Sequence, residues 1–200
     1  MDTQQLALVF PGQGSQKVGM LAELGESFSV IKDTFAEASE ALAYDMWDLI
    51  QNGEQGQLNL TETTQPVLLT ASVAVWRLWC EQGGLRPSLL AGHSLGEFSA
   101  LVCAGALNFA DAVRLVRARG QYMQTAVPVG EGAMAAVLGL EDAQIVEICA
   151  QASSTGVVEA VNFNSPGQVV IAGQVAAVDQ AIELLKAAGA KRAMPLPVSA

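Results

Sequence analysis

The turn GHSLG at residues 92–96, centred on Ser94, constrains the fold more than any other stretch of the chain. The apolar run 88–91 before it predicts a short buried strand, and residues 95–104 after it predict a helix. Strand, Gly-x-Ser-x-Gly turn and helix in this order form the context of a nucleophile elbow, which exposes the serine hydroxyl above the sheet. An oxyanion formed there would be stabilised by the N–H of Leu95 and by the helix dipole. The alternative is a tight turn of small residues without chemistry.

The only histidine of the chain, His93, directly precedes Ser94. A serine nucleophile uses a histidine base, but neighbouring side chains at the end of a strand point to opposite faces. In a catalytic triad the base reaches the hydroxyl from a separate segment. We therefore expect His93 to be a packed, hydrogen-bonded residue that supports the turn, and not the base.

A second candidate, Arg119, lies on the apolar side of a helix predicted over 108–127 and capped by Asn108. The predicted polar face carries Arg114, Arg117, Gln121 and Gln124, and the predicted apolar stripe consists of Ala112, Leu115, Val116, Tyr122 and Met123. A buried guanidinium is costly unless it is paired. Arg119 is therefore expected to form an internal ion pair, to extend its head to solvent, or to hold a substrate carboxylate bidentately. Because a candidate nucleophile lies in the same layer, we favour the carboxylate clamp.

Residues 64–82 predict the central helix of the first part of the chain, because they are apolar on nearly all sides. Thr64 is predicted to cap this helix, Pro66 to lie in its first turn, and Gly83-Gly84 to end it. The other elements predicted before the serine turn are a strand at 6–10, stopped by Pro11-Gly12, and acidic surface helices at 27–43 and 45–50.

From Pro128 onward the pattern changes to short strands and helices. Their βαββαβ order is typical of a ferredoxin-like unit. We therefore predict an α/β fold, with a parallel-sheet subdomain at 1–127 and a ferredoxin-like subdomain at 128–200. The elements predicted for the second subdomain are strand 132–140, helix 142–153, strands 157–163 and 168–172 joined by the turn NSPG, helix 175–188 and strand 191–198.

The composition excludes several classes of function. A net charge of −10 argues against a nucleic-acid partner, which requires a basic surface. Cys80, Cys103 and Cys149 are far apart in sequence, and the chain contains only one histidine, so we predict no metal site. We assign the cysteines as reduced thiols of a cytoplasmic protein. The N-terminus lacks the pattern of a signal peptide, and no apolar run reaches the roughly 20 residues that span a bilayer.

Four segments in register together resemble the malonyl-CoA:acyl carrier protein transacylase family, over essentially the whole chain. The start near Met1 is similar to the free-standing bacterial enzymes. The resemblance implies that Ser94 carries the malonyl ester, that the backbone N–H groups of Gln13 and Leu95 form the oxyanion hole, and that Arg119 holds the malonyl carboxylate. The segments are VFPGQGSQKVGM at 9–20, GHSLGEFSALVCAG at 92–105, RARGQYMQ at 117–124 and VNFNSPGQVVIAG at 161–173.

The resemblance also implies a fold and partners. The fold is a hydrolase-like α/β subdomain, incomplete here, with a ferredoxin-like subdomain. The reaction moves malonyl from malonyl-CoA to the phosphopantetheine thiol of acyl carrier protein in fatty acid biosynthesis, with no cofactor or metal, by a protein that is a monomer at full length. Asn162 and Asn164 lie in a segment that approaches the cleft in this family, although turn capping explains them equally well. Lys191-Arg192 is either a docking patch for the acidic carrier protein or a solvated charge pair.

The chain departs from the family at its end. The family's catalytic histidine lies a few residues beyond LPLPVS, and this sequence stops at Ala200. We therefore expect a fragment or a truncated protein that is inactive or nearly so by itself. We also expect it to expose apolar surface and to be poorly soluble.

Three other functions share parts of this pattern. A serine hydrolase or thioesterase would use the same elbow with water as the acceptor, but it has no need for Arg119. A non-catalytic interaction module would keep the turn without the chemistry. The third is a related acyltransferase for methylmalonyl or longer acyl groups. Arg119 disfavours neutral acyl chains, but it does not separate methylmalonyl from malonyl.

Overall fold

The computed structural model describes residues 6–128 and 130–196. The chain divides into two compact units, Met1–Met123 and Gln124–Ala200, and each has its own hydrophobic core. One unit contains a parallel sheet and the other an antiparallel sheet, so the predicted α/β fold class is confirmed. The assignment of 1–127 and 128–200 as a large and a small subdomain stays a prediction.

The first unit is built from a parallel pair of strands and from helices. Strand β1 (Ala7–Phe10) pairs in parallel with β2 (Leu89–Gly92), with Ala7 opposite Leu89. The predicted strands are both present, and two short helices, α1 and α4, were not predicted because they are too short to show a periodic pattern. The described helices of this unit are α1 (Ala22–Ser27), α2 (Ser29–Leu42), α3 (Met46–Asn52), α4 (Gln55–Leu58), α5 (Thr61–Glu81), α6 (Leu95–Cys103) and α7 (Phe109–Thr125).

Helix α5 is the central helix of the first core, as predicted, and most of its residues from Thr61 to Ala74 are buried. The predicted start at Thr64 is wrong, because α5 begins at Thr61 and Pro66 lies inside the helix, beyond its first turn. The buried Thr64 hydroxyl donates a hydrogen bond to the carbonyl of Leu58. It therefore satisfies a backbone acceptor of the preceding turn and does not cap the helix. Gly83, with φ +72°, follows the C-terminus as predicted.

The buried face of α7 differs in part from the predicted stripe. Leu115 and Tyr122 were predicted to be buried but are 48% and 75% exposed. The residues of α7 that are buried still follow helical spacing, but they include Gly120. The absence of a side chain there allows close packing. The buried residues of α7 are Phe109, Ala112, Val113, Val116 and Gly120. The predicted cap is confirmed, since the side-chain oxygen of Asn108 accepts from the N–H of Asp111 at 3.2 Å.

The second unit has the βαββαβ order that the sequence predicts. Its four-stranded antiparallel sheet has the strand order β4-β5-β3-β6, which is the ferredoxin-like arrangement. Two helices cover one face of the sheet and form the second core. The last two residues of the strand predicted at 191–198 lie outside the described residues. The elements are β3 (Gly132–Leu138), α8 (Asp142–Ala152), β4 (Val158–Ser165), β5 (Gln168–Gln174), α9 (Val175–Ala187) and β6 (Arg192–Pro195).

Apolar side chains are exposed on the sheet of the first unit. Val9 on β1 is 77% exposed and Leu89 on β2 is 67% exposed. A cavity of about 360 Å³ beside β1 and α5 is lined mainly by apolar side chains, among them Trp76 and Trp79. The expected exposure of apolar surface is therefore present in this unit. Within residues 6–128 and 130–196, no helix combines the length and hydrophobicity that crossing a membrane requires.

Candidate active site

The serine turn has the backbone geometry of a nucleophile elbow. Ser94 is separated from the end of β2 by His93 alone and directly precedes α6, and its φ and ψ are 54° and −111°. Leu21 and Ala43, which also have positive φ, lie in the ordinary left-handed region at helix ends. The ψ of Ser94 departs from that region, so its backbone is held in a conformation that side-chain-bearing residues rarely adopt. Such strain at an exposed serine between a strand and a helix is what the elbow requires.

The two glycines of the turn allow this geometry by letting backbone segments touch. A Cβ on Gly92 would overlap the carbonyl group of Gly96, and a Cβ on Gly96 would overlap the carbonyl oxygen of Phe10 at the end of β1. Both positions therefore require glycine, because the obstructing atoms are backbone and cannot rotate away. The same contacts bring the loop after β1 against the start of α6.

The loop after β1 and the start of α6 carry the residues predicted for the oxyanion hole. Leu95 is 1% exposed and is the first residue of α6, where N–H groups have no intrahelical acceptor. Gln13 lies in the loop beside the elbow, since a Cβ on the neighbouring Gly12 would lie 3.5 Å from the carbonyl oxygen of His93. The Gln13 side chain donates to the Thr61 hydroxyl at 3.2 Å, so the loop is tied to the start of α5. The oxyanion roles of Gln13 and Leu95 stay predictions.

Arg119 and Ser94 lie together, although they are 25 positions apart in sequence. The Nη2 of Arg119 donates to the Ser94 Oγ at 3.0 Å, and its Nη1 donates to the Oε1 of Gln65 at 2.8 Å. The guanidinium carbon also lies 5.7 Å from the centre of the Phe98 ring. The guanidinium is half-buried and has three neutral partners. The amide of Gln65 and the ring of Phe98 hold it beside the third partner, the Ser94 oxygen.

The internal ion pair considered for Arg119 is not present in the part of the chain that the structure describes. The ion pairs found there join Arg77 to Glu37, Arg114 to Asp111, and Lys186 to Glu183. The positive charge of Arg119 is thus not neutralised by a described carboxylate. Between an ion pair and a carboxylate clamp, this geometry favours the clamp.

Sequence reasoning missed Gln65, which accepts a hydrogen bond from the terminal nitrogen of Arg119 that does not contact the serine. Gln65 is 1% exposed and lies in α5 among apolar neighbours. A polar residue in a helix that is otherwise apolar on nearly all sides was the available signal. Its partner could not be identified from the sequence, because Arg119 is 54 positions away.

The prediction that His93 is packed is wrong, because the residue is exposed. Its carbonyl accepts from the N–H of Gly96 at 3.0 Å, which helps to close the turn. No described group makes a hydrogen bond with the imidazole, and the group that contacts the Ser94 hydroxyl is Arg119. His93 supports the turn through its backbone and not through its side chain.

The other candidate residues lie in the second unit. Asn162 on β4 pairs with Val170, next to an irregularity in the strand register, and Asn164 is exposed near the end of the same strand. Lys191 and Arg192 are exposed, and no ion pair involves them in the described ranges. The cleft role of Asn162 and Asn164 and the docking role of Lys191 and Arg192 stay predictions.

The three cysteines are free, as expected of reduced thiols. Among the residues that the structure covers, no cluster of His, Cys, Asp or Glu side chains could hold a metal ion. Burial, with a smaller contribution from the neighbouring Cys80, raises the pKa of Cys103 to about 12. This thiol is therefore not a nucleophile at neutral pH.

Residues 7–198 match the protein family described as acyl transferase domain. The chain belongs to the acyl transferase family. The resemblance inferred from the four sequence motifs is thereby confirmed at the level of the acyl transferase family, and the elbow at Ser94 lies within the matching range.

Individual members of the acyl transferase family are similar to almost the whole chain. The malonyl CoA-acyl carrier protein transacylases of Salmonella typhimurium and Escherichia coli K12 are each 63% identical over 195 residues, which are 98% of this chain. The solved structure of this transacylase from Coxiella burnetii is 57% identical, with a TM-score of 0.95 over 98% of this chain and 62% of that one. A malonyl-transacylase in complex with a type II PKS acyl-carrier protein is 58% identical, with a TM-score of 0.94 over 98% of this chain and 63% of that one.

The chain spans 63% of the length of the Salmonella and Escherichia relatives that it matches. The candidate site described here, with Ser94, Arg119 and Gln65, is assembled from the first unit alone.

Proposed function

We propose that this chain carries the acyl-accepting site of a malonyl-CoA:acyl carrier protein transacylase of fatty acid biosynthesis. The observation that carries the proposal is the 3.0 Å contact from Arg119 Nη2 to Ser94 Oγ, made by a guanidinium that no described carboxylate neutralises. The malonyl group places a carboxylate one methylene away from a thioester carbonyl. A cation beside the nucleophile can hold that carboxylate while the carbonyl meets the serine oxygen.

The reaction proceeds in two half-reactions. In the first, Ser94 Oγ attacks the malonyl thioester carbonyl, a C–O bond forms, the C–S bond breaks, and the hydroxyl proton ends on the departing CoA thiol. In the second, the phosphopantetheine thiol of acyl carrier protein attacks the malonyl ester, a C–S bond forms, the C–O bond breaks, and the proton returns to Ser94. CoA is thus part of a substrate and not a resident cofactor.

The proposed roles follow the positions of the groups. The backbone N–H groups of Gln13 and Leu95 stabilise the oxyanion of each tetrahedral intermediate. Arg119 leaves the Ser94 hydroxyl and binds the malonyl carboxylate with its planar fork. A neutral acyl group offers no partner to this cation, so the site favours malonyl over acetyl. Methylmalonyl has the same carboxylate and is not separated from malonyl by Arg119.

No described histidine contacts the Ser94 hydroxyl to accept its proton. The only histidine, His93, is exposed and makes no described contact with the Ser94 hydroxyl. We therefore expect acylation by this chain to be much slower than by a full-length relative, since a positioned base contributes about 10²–10⁴-fold.

The partners of the proposed reaction are malonyl-CoA and acyl carrier protein, in the cytoplasm. Lys191 and Arg192 are exposed in the second unit and are the candidate contact for the acidic carrier protein. The net charge of −10 makes a basic patch of this kind necessary for docking. Neither a nucleic acid nor a membrane is required by the reaction.

The test is the intact mass of the purified chain after incubation with malonyl-CoA, beside the Ser94→Ala variant. We expect a malonyl adduct that accumulates slowly on the parent and none on the variant. An adduct that persists in Ser94→Ala would disprove the assignment of the nucleophile. An adduct that disappears by hydrolysis, and is not transferred when acyl carrier protein is added, would favour a hydrolase over a transacylase.

A further inference from the structure

The buried amide of Gln65 binds one terminal nitrogen of the Arg119 guanidinium, and the Ser94 hydroxyl binds the other. Its Oε1 accepts from Arg119 Nη1 at 2.8 Å, and its Nε2 lies 3.2 Å from the sulfur of Met123. Gln65 is 1% exposed, so water does not compete for these bonds. A charge-assisted hydrogen bond in such an environment fixes one end of the arginine fork.

The orientation of the Gln65 amide is determined by its neighbours. A guanidinium has only N–H donors, so the group that faces it must be the amide oxygen. The amide nitrogen then faces the thioether sulfur of Met123, which is a weak acceptor. The reversed amide would direct two donors at a cation and leave its oxygen against sulfur.

Close contact between two helices sets the distance from Gln65 to Arg119. A Cβ on Gly120 would lie 2.7 Å from the backbone atoms Glu62 Cα and Thr61 O, so α7 touches the first turn of α5 at this glycine. Arg119 adjoins this contact in sequence, and Gln65 lies one turn along α5 from Thr61. The pair is therefore held by packed backbone and not by flexible side chains.

The partner of Arg119 is neutral, and this is the feature that matters for specificity. A carboxylate at position 65 would form an ion pair with Arg119 and compete with an anionic substrate. An amide supplies the same geometry and leaves the charge available. We propose that Gln65 is a positioning residue that makes the site selective for anionic acyl groups, because it anchors Arg119 without neutralising it. This proposal rests on the clamp role of Arg119 given above.

Two substitutions separate the anchor from the charge. Gln65→Glu keeps an acceptor near Arg119 but adds a negative charge. Gln65→Met keeps the length of the side chain and removes the acceptor. Gln144→Glu is the matched control for the added charge, because Gln144 is exposed in the first turn of α8, in the second unit.

The measurement is the affinity for malonyl-CoA and for acetyl-CoA by titration calorimetry, in the Ser94→Ala background so that no acylation occurs. The two esters share the whole CoA moiety, so the ratio of their affinities isolates the carboxylate. Circular dichroism verifies that each variant is folded. A purely structural role of Gln65 would weaken the binding of both esters equally and leave the ratio unchanged.

We expect the parent background to prefer malonyl-CoA. Gln65→Glu should reduce that preference about tenfold or more, Gln65→Met should reduce it less, and Gln144→Glu should not change it. A preference that is retained in both folded Gln65 variants would overturn the role of Gln65 and leave the clamp intact. Equal or undetectable affinity of the parent background for the two esters would overturn the clamp itself, and the role of Gln65 with it.

Discussion

Substituting Gly120 by alanine tests whether the α5–α7 contact fixes the candidate site. The added Cβ would lie 2.7 Å from the Glu62 Cα and from the Thr61 carbonyl oxygen. Both are backbone atoms of a buried helical turn, so they cannot move aside as the end of a side chain could. The two helices must separate, and the cavity that opens adds to the cost.

The size of the effect follows from two opposing terms. Forcing an extra carbon into a packed core costs about 1–3 kcal/mol. Alanine in a helix interior recovers about 1 kcal/mol relative to glycine. The difference between these terms is about 0–2 kcal/mol. Because both obstructing atoms are backbone, we expect the upper part of this range, a net loss of about 1–2 kcal/mol in the free energy of unfolding of the first unit. At roughly 4 °C per kcal/mol for a unit of this size, the melting temperature should fall by about 4–8 °C.

Tryptophan fluorescence is the suitable assay, because all three tryptophans, Trp47, Trp76 and Trp79, lie in the first unit. The matched control is Gly56→Ala in α4, where a Cβ would meet nothing within 4 Å. That variant should melt at the parent temperature or slightly above it. If Gly120→Ala melts at or above the parent temperature while Gly56→Ala behaves as expected, the close helix contact does not exist as described.

Two further predictions concern a partly buried thiol and a buried hydroxyl of the first unit. Burial raises the pKa of Cys103 to about 12, so only about one Cys103 thiol in ten thousand is ionised at pH 8. Iodoacetamide should therefore alkylate the exposed Cys80 and leave Cys103 unmodified. Peptide mass spectrometry measures the labelling of each cysteine. The contribution of the neutral Cys103 thiol to the free energy of unfolding is complete below the ordinary thiol pKa of 9.0 and is lost as the pH rises toward about 12. Equal labelling of the two cysteines in the folded protein at pH 8 would contradict the burial of Cys103. Thr70→Val should raise the free energy of unfolding by about 1 kcal/mol in urea titrations, since the buried Thr70 hydroxyl has no hydrogen-bond partner among the described residues. A loss of stability would indicate that this hydroxyl is satisfied.

The strand–turn–helix around Ser94 could be predicted because its determinants are local. Two glycines, an apolar run and a helix start are sufficient to specify a nucleophile elbow, and the observed backbone of Ser94 has the strained geometry that this motif implies. The βαββαβ order of the second unit could be predicted for the same reason, since each element has its own periodicity. Arg119 could be selected because a charge on an apolar stripe conflicts with that periodicity.

The partners of these residues could not be predicted, because they depend on how helices pack. Gln65 meets Arg119 only where α5 and α7 touch at Gly120. The stripe of α7 was partly wrong for the same reason, since a glycine on the contact face contributes nothing to a hydrophobic pattern. Thr64 was misplaced as a cap because its sequence context fits a helix start, whereas its hydroxyl serves the turn that ends at Leu58.

The strained backbone of Ser94 lowers the stability of the turn, while it exposes the serine hydroxyl. Holding a residue with a Cβ at φ 54° and ψ −111° costs on the order of 1–3 kcal/mol, and glycine avoids this cost at an entropic penalty of about 0.5–1 kcal/mol. Replacing Ser94 by glycine would therefore relax the turn. A library of variants ranked only by melting temperature would enrich glycine at position 94, although such variants would lack the hydroxyl that the proposed reaction needs.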